Sequence, residues 1–133
     1  MRVRNPIIWA DFPDPDILRV GDTYYMVTTT MFMMPGAPIL KSKDLYHWEI
    51  ASYVFDKIED NDIYQLKNGK NAYGKGQWAT SLKYYRGMYY ACFACNDMNK
   101  TYIYYTDDIE KSYWDRYVME GIYHDMSFLF DVY

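Results

Sequence analysis

The sequence predicts an all-β protein built from repeated four-stranded antiparallel units, an arrangement typical of a β-propeller. Helical periodicity is nearly absent from the chain. Short apolar and aromatic runs alternate with turn residues, and one strand–turn–strand pattern occurs twice. With 133 residues, the chain has the length of one ordinary domain.

The strand prediction rests on short runs that are bounded by Gly-Asp, Pro-Gly and Lys-Asp pairs. The stretch from Thr23 to Thr30 is rich in tyrosine and β-branched residues, which suit a pleated, partly buried surface. Strands of about 4–7 residues are typical of such punctuation. The first unit accordingly has four predicted strands: Ile17–Val20, Tyr24–Thr29, Pro38–Lys41 and Trp48–Phe55.

An internal repeat shows how these strands are grouped. Ile17–Met26 aligns with Leu82–Ala91, and both read as a strand, a two-residue turn and a strand that contains Tyr-Tyr. Downstream, Ser42–Leu45 matches Thr106–Ile109, and each is followed by a tryptophan. A four-stranded antiparallel unit is the blade of a β-propeller, which closes with about 4–8 blades.

The repeat divides the chain into blades. We assign blade 1 to about 14–55, an inter-blade loop to about 56–76, blade 2 to about 77–120 and the start of blade 3 to about 121–133. Two blades and one opening strand leave sheet edges exposed, and such edges favour self-association. The sequence therefore has the pattern of the N-terminal part of a longer protein.

Composition excludes several classes of function. Apolar residues make up 50% of the chain and aromatic residues 20%, so the chain is expected to pack. The formal net charge of −4 argues against a nucleic-acid partner. No apolar run approaches the ~20 residues of a membrane helix. The N-terminus lacks the apolar core of a signal peptide, so the chain as written is expected in the cytoplasm.

The metal-like and redox-like motifs are read as structural. Cys92 and Cys95 form a C-x-x-C motif, but they lie in a predicted strand, where residues three apart face opposite sides. They are expected to be buried and inert. Asp107-Asp108 and Glu59–Asp62 lack the ligand spacing of a calcium loop and are read as a solvated acidic surface. Neither a metal nor a cofactor is therefore expected.

The most specific segment surrounds Asp14. Pro13 and Pro15 flank it, remove backbone donors and restrict the dihedral angles that aim its carboxylate. The segment precedes the first predicted strand, and in propellers the beginnings of the inner strands converge on the central channel. One reading makes Asp14 a functional carboxylate in that channel. The other makes it a turn residue that caps its own backbone.

Several ordered motifs carry a family resemblance: Asn5-Pro6-Ile7, Phe12–Asp16, Arg19–Tyr25, Met34-Pro35-Gly36, Ser42–Leu45 with Trp48, Gly76–Ala79 and Asp125–Asp131. Together they resemble glycoside hydrolase family 43, the β-xylosidase and α-L-arabinofuranosidase group. The resemblance implies a five-bladed β-propeller with its active site in the central channel. The chain would supply the N-terminal two blades and the start of the third.

The resemblance also implies roles for individual residues. Asp14 matches the general base, and Asp125 matches the aspartate that orients the general acid and tunes its pKa. Trp78 lies where the family has an aromatic residue beside the sugar, although a packing role for this tryptophan stays open. Met31 and Phe32 belong to a loop that lines the sugar subsite. Relatives often have an aromatic residue where Met31 falls.

The general acid is the part of this machinery that the chain is expected to lack. In the family it is a glutamate from a later blade. Glu120, in Met119-Glu120-Gly121, superficially matches a Glu-Gly acid motif, but it precedes the third blade and is read as part of a surface turn.

These assignments predict an inverting glycoside hydrolase that acts on the xylosides or α-L-arabinofuranosides of plant hemicellulose. Its partner would be a carbohydrate substrate. The chain by itself is expected to be inactive because it lacks the acid. The alternatives are a non-catalytic carbohydrate-binding propeller fragment and a truncated reading frame.

Overall fold

A computed structural model describes residues 3–131, which form two four-stranded antiparallel sheets. Strand order in each sheet follows the order along the chain. The only helix in this described part is a 3-10 turn at Asn96–Met98, and none there has the length and apolarity needed to cross a membrane. The all-β prediction is confirmed. Blade 1 contains β1 (Asp16–Val20), β2 (Thr23–Val27), β3 (Gly36–Ser42) and β4 (Glu49–Phe55), and blade 2 contains β5 (Ser81–Tyr85), β6 (Met88–Cys95), β7 (Lys100–Thr106) and β8 (Asp115–Glu120).

The two blades begin with equivalent hairpins. In each, a two-residue turn joins the first strand to the second. Gly21 has a φ of 62° in the first turn, and Arg86 and Gly87 have φ values of 48° and 86° in the second. Positive φ angles suit two-residue hairpins because they match the twist of the flanking strands. The internal repeat seen in the sequence therefore corresponds to a structural repeat.

The core lies between the two sheets. Alternate residues of β2 and β3 face alternate residues of β6 and β7, as the two-residue period of strands requires. Phe93 is at the centre, with its ring centroid 5.3 Å from those of Phe55 and Tyr102 and 5.8 Å from that of Tyr104. The tyrosine-rich strands thus supply the packing between the blades.

The inter-blade segment 56–76 is a packed part of the fold rather than a peripheral loop. Ile58 and Ala72 are buried in the core between the sheets, and so is Tyr64. The Tyr64 hydroxyl donates a 2.5 Å hydrogen bond to Asp97 and lies 3.2 Å from the Cys95 sulfur. The polar composition of the segment concealed these three anchors.

Both cysteines are buried and unpaired with each other. Cys95 faces the core between the blades, whereas Cys92 faces the other side of the sheet, 2.9 Å from the Ser81 hydroxyl. The expected opposite orientation is confirmed. Burial raises the pKa of Cys95 to about 12 and also raises the pKa of Cys92, so both thiols stay protonated at neutral pH.

The first strands of the two blades are neighbours. The Leu82 amide donates a 2.8 Å hydrogen bond to the Asp16 carboxylate, and the Lys83 ammonium lies 3.6 Å from the same oxygen. This contact joins the beginning of β1 to β5. We call the side of the molecule formed by β1 and β5 the inner edge. Residues just before these strands are therefore placed at the same edge.

The C-terminal segment 125–131 joins no sheet in the part of the chain that the structure describes. The Phe130 ring stacks on Tyr85 with centroids 4.5 Å apart, and Phe128 contacts Tyr90 at 5.9 Å. Leu129, between them, is 93% exposed. The segment thus packs on blade 2 without forming a strand, and its assignment as the start of blade 3 stays a prediction. Residues 1–2 and 132–133 of the predicted ranges lie outside the described residues.

The acidic stretch at 59–62 differs from the solvated surface that was predicted. Glu59 accepts a 2.6 Å hydrogen bond from the Tyr102 hydroxyl and lies 3.8 Å from Arg116. Asp60 and Asp62 lie 3.0 Å and 3.7 Å from lysine ammonium groups. The stretch therefore contributes ion pairs, one of them partly buried, at the outer side of the blade junction.

Candidate active site

Asp14 lies at the inner edge, in the loop before β1. It is exposed and has a φ of 51°. Its Oδ2 accepts a 3.2 Å hydrogen bond from the Thr29 hydroxyl, and the Thr29 amide donates a 3.0 Å hydrogen bond to the Pro13 carbonyl. The carboxylate is therefore anchored by a residue that follows β2, while the side chain stays open to solvent.

Met31 and Phe32 follow directly after this anchor. Met31 has a φ of 51° and forms an isolated β-bridge with Gln77. The backbone amide of Gln77 donates a 3.0 Å hydrogen bond to the Met31 carbonyl. The Phe32 ring lies 5.1 Å from the ring of Tyr73, which is 79% exposed. The loop of blade 1 is thus held against the end of segment 56–76.

Trp78 is half-buried just before β5. Its amide donates a 3.1 Å hydrogen bond to the Ala94 carbonyl of β6. The preceding residue, Gln77, is bonded to blade 1 through Met31. The peptide between Gln77 and Trp78 is consequently the point at which the chain passes from one blade to the other.

A groove of about 370 Å³ lies beside the Asp14 loop. One wall of the groove comes from the loops that precede β1 and follow β2, and the other comes from the end of segment 56–76. Its lining includes Asp11, Pro13, Thr29, Met31, Phe32 and Tyr73. The groove combines an aromatic side with polar groups, which is typical of small-molecule sites.

Asp125 is exposed in a turn and, like Asp14, has a positive φ, of 49°. The carbonyl of the next residue, Met126, accepts a 3.4 Å hydrogen bond from the Cys92 thiol. Cys92 in turn contacts Ser81, the first residue of β5. Asp125 is therefore connected to the inner edge through the Met126–Cys92–Ser81 contacts.

Glu120 takes a different position. It is exposed, but it is the last residue of β8, the fourth strand of blade 2, rather than part of the predicted turn, because it is paired with Lys100. The inner edge is formed by the first strand of that sheet. The structure thus keeps Glu120 at the opposite side of the blade from Asp125 and Trp78.

Gly76 allows segment 56–76 to approach the Met31 loop closely. It has a φ of 97°, and a side-chain Cβ here would overlap the Met31 carbonyl. Its amide donates a 2.9 Å hydrogen bond to Asp97. Burial raises the pKa of Asp97, but hydrogen bonds from Tyr64 and Gly76 outweigh it and hold the pKa below its ordinary value.

Sequence reasoning missed three residues of this region: Thr29, Tyr73 and Gln77. Thr29 and Gln77 lie within stretches whose pattern was noticed, but a polar residue gives no sequence signal of the partner it will meet. Tyr73 is one of 17 tyrosines. Its position beside the Gly74 turn in a polar segment is the one feature that separates it from the strand tyrosines.

Two sheets stacked through an aromatic core define two blades of a β-propeller, and the polar inner edge is the place where such a fold binds ligands. The family model of glycosyl hydrolases family 43 matches residues 3–132, and the chain belongs to this family. The predicted resemblance is confirmed, and so is the predicted fold, part of a five-bladed propeller.

Two similar proteins are named as a xylosidase and an arabinofuranosidase. The chain is 39% identical over 115 residues to a beta-xylosidase of Formosa agariphila. This alignment covers 86% of this chain and 19% of that protein. It is 44% identical over 87 residues to a non-reducing end alpha-L-arabinofuranosidase of Bacteroides ovatus, covering 65% and 16%. A solved bifunctional GH43-CE protein of Bacteroides eggerthii superposes with a TM-score of 0.90 at 46% identity, over 97% of this chain and 17% of that one. The chain thus spans less than a fifth of each relative's length.

We predict that Gly76→Ala destabilises the chain by about 2–4 kcal/mol, because it adds an overlap with the Met31 backbone to the cost of a positive φ. Gly74→Ala is the matched control, since Gly74 also has a positive φ but has no atom within 4 Å of an added Cβ. It is expected to cost about 1 kcal/mol. Urea unfolding measures both changes, and equal losses would contradict the proposed close approach.

Proposed function

We propose that this chain is the N-terminal part of a glycoside hydrolase that acts on xylosides or α-L-arabinofuranosides with inversion of configuration. The observation that carries the proposal is the Asp14 carboxylate, which is exposed and is anchored by Thr29 beside a groove with an aromatic wall. The names of the relatives support the substrate class.

Asp14 serves as the general base in this proposal. Thr29 binds its Oδ2, and Oδ1 is available to accept a hydrogen bond from water. The carboxylate removes a proton from that water as the water oxygen attacks the anomeric carbon. On the opposite face of the sugar, a carboxylic acid gives its proton to the leaving oxygen as the glycosidic C–O bond breaks. Inverting enzymes place the two groups about 6.5–9.5 Å apart.

Asp125 serves beside the acid rather than as the acid. A nearby negative charge raises the pKa of a carboxylic acid, which keeps it protonated and able to donate. The acid itself would come from residues outside this chain, as the family resemblance implies. The chain alone is then expected to show no turnover, because removal of the acid step costs a factor of ~10²–10⁴.

Trp78, Met31 and Phe32 would contact the sugar. Aromatic rings offer apolar faces to the C–H groups of a pyranose or furanose ring, and Met31 adds a flexible apolar contact. Tyr73 extends this wall, because its exposed ring rests against Phe32. In this arrangement the aromatic side of the groove would face the sugar, and the Asp14 carboxylate, beside the groove rather than in its lining, would face the reacting carbon.

A non-catalytic carbohydrate-binding role is the second candidate. The exposed Tyr73 ring, which contacts the half-buried Phe32, favours it, since sugar binding requires an aromatic wall but neither an acid nor a base. The two candidates differ in their dependence on Asp14. Binding by the chain without any contribution of Asp14 to turnover would support the second.

The catalytic proposal predicts the behaviour of a chimera in which residues 3–131 replace the matching segment of the Bacteroides eggerthii protein. The substrates are nitrophenyl β-D-xyloside and nitrophenyl α-L-arabinofuranoside. Asp14→Asn should lower kcat by about 10²–10⁴-fold, because the amide cannot accept the proton from water. Asp107→Asn, an exposed aspartate in the turn after β7, is the matched control and should leave kcat unchanged.

The unmodified 133-residue chain should give no turnover in the same assay. Turnover by the chimera that survives Asp14→Asn would contradict the assignment of the base. Turnover by the chain alone would contradict the placement of the acid outside it.

We also predict that Tyr73→Ala weakens binding of xylo- or arabino-oligosaccharides to the chain by about tenfold, because an aromatic contact is lost. Tyr113→Ala is the matched control, because Tyr113 is similarly exposed, at 86%, but precedes the outermost strand of blade 2. Titration followed by NMR chemical shifts measures both affinities. Equal affinities of the two variants would exclude Tyr73 from the sugar-binding wall.

A further inference from the structure

The side chain of Gln77 is fully buried at the junction of the blades, at 0% exposure. Its Oε1 accepts hydrogen bonds from the Thr30 amide at 2.8 Å and from the Thr30 hydroxyl at 3.0 Å. Its Nε2 donates to the Thr28 carbonyl at 3.1 Å and to the Thr80 hydroxyl. A glutamine amide has two N–H donors and an oxygen with two lone pairs, so all four of its bonds are made.

These four bonds also fix which way the amide points. Oε1 faces a backbone N–H, which can only donate, and Nε2 faces a backbone C=O, which can only accept. A rotation of the amide by 180° would place donor against donor and acceptor against acceptor. The contact therefore defines one relative position of Gln77 and the segment Thr28–Thr30.

The segment that Gln77 holds is the one that anchors Asp14. Thr29 donates its hydroxyl hydrogen bond to Asp14, and its two chain neighbours, Thr28 and Thr30, are both bonded to the Gln77 amide. The Gln77 backbone also binds the carbonyl of Met31. One residue of blade 2 thus bonds to three residues of blade 1, Thr28, Thr30 and Met31, and two of these flank Thr29.

We propose that Gln77 is a positioning residue for the candidate active site, acting through Thr29 on the Asp14 carboxylate and through Met31 on the sugar-facing loop. The assignment of a catalytic purpose to this positioning rests on the proposed function. A general base must be held within a fraction of an ångström of its productive position, and buried hydrogen bonds supply that restraint.

The test uses the 133-residue chain, labelled with ¹⁵N and ¹³C. In Gln77→Met, amide hydrogen exchange at residues 29 and 30 should accelerate by about tenfold or more, because the bonds that close this segment are lost. The ¹³C resonance of the Asp14 carboxylate should shift. Amides in the β6–β7 ladder should keep their exchange rates to within about twofold. Gln65→Met, the same change at the other glutamine of the chain, is the matched control and should alter neither signal.

A second pair of variants keeps the test decisive if Gln77→Met does not fold. Thr30→Val keeps the side-chain shape but removes the hydroxyl that donates to Gln77 and accepts a 3.1 Å hydrogen bond from the Ala37 amide, whereas Thr30→Ser keeps the hydroxyl. The Asp14 resonance should shift in Thr30→Val and return to its original position in Thr30→Ser. A merely structural role would not be rescued in this way at Asp14.

Two results would overturn the proposal. One is an unchanged Asp14 resonance in both Gln77→Met and Thr30→Val. The other is equal acceleration of exchange throughout the chain, which would show general destabilisation rather than local positioning. Neither result depends on catalysis, so failure here is distinguishable from failure of the proposed function, which the chimera assay tests.

Discussion

A buried amide is stable in a protein interior only when its donors and acceptors are all paired, and this constraint operates where the two blades meet. The Gln77 amide meets this constraint mainly through Thr28 and Thr30, which follow β2 of blade 1. An unpaired buried polar group costs about 1–3 kcal/mol, so the bonded arrangement excludes small displacements of one blade against the other. Hydrophobic packing between the sheets supplies most of the attraction. The hydrogen bonds of the amide fix the register, that is, the position of one blade relative to the other.

The candidate site depends on this register because its parts come from different segments. The Asp14 loop precedes β1, the Met31 loop follows β2, and Tyr73 and Trp78 lie in the connection before β5. Three of the five residues assigned to the site from the sequence, Asp14, Met31 and Asp125, have φ near 50°. Such conformations are unfavourable for residues other than glycine and require support from neighbouring contacts. The Thr29 and Gln77 hydrogen bonds provide it for the first two.

Much of the fold could be predicted from the sequence because it depends on local pattern. The strand boundaries follow alternating apolar residues, and the hairpins follow Gly21 and Gly87, so both blades were recognisable from the repeat. The family motifs, in turn, contain or closely adjoin Asp14, Met31, Phe32, Trp78 and Asp125. These features depend on residues that lie close together along the chain.

The remaining features depend on contacts between distant residues. Gln77 meets Thr30 across 47 residues, and nothing in the polar stretch around it distinguishes a buried amide from a surface one. The same limit applies to Glu59, which looks like part of an acidic surface until Tyr102 and Arg116 are placed beside it. The sequence of segment 56–76 predicts a loop because its three core residues are spaced irregularly among polar ones.

The most direct test of the blade junction is a nuclear Overhauser experiment on the labelled chain. If the junction is as described, the two Nε2 protons of Gln77 give cross-peaks to Thr28 and Thr80, and they are protected from solvent exchange. If those protons instead exchange as fast as those of an exposed glutamine and give no cross-peak to Thr28, the central claim about the junction is wrong.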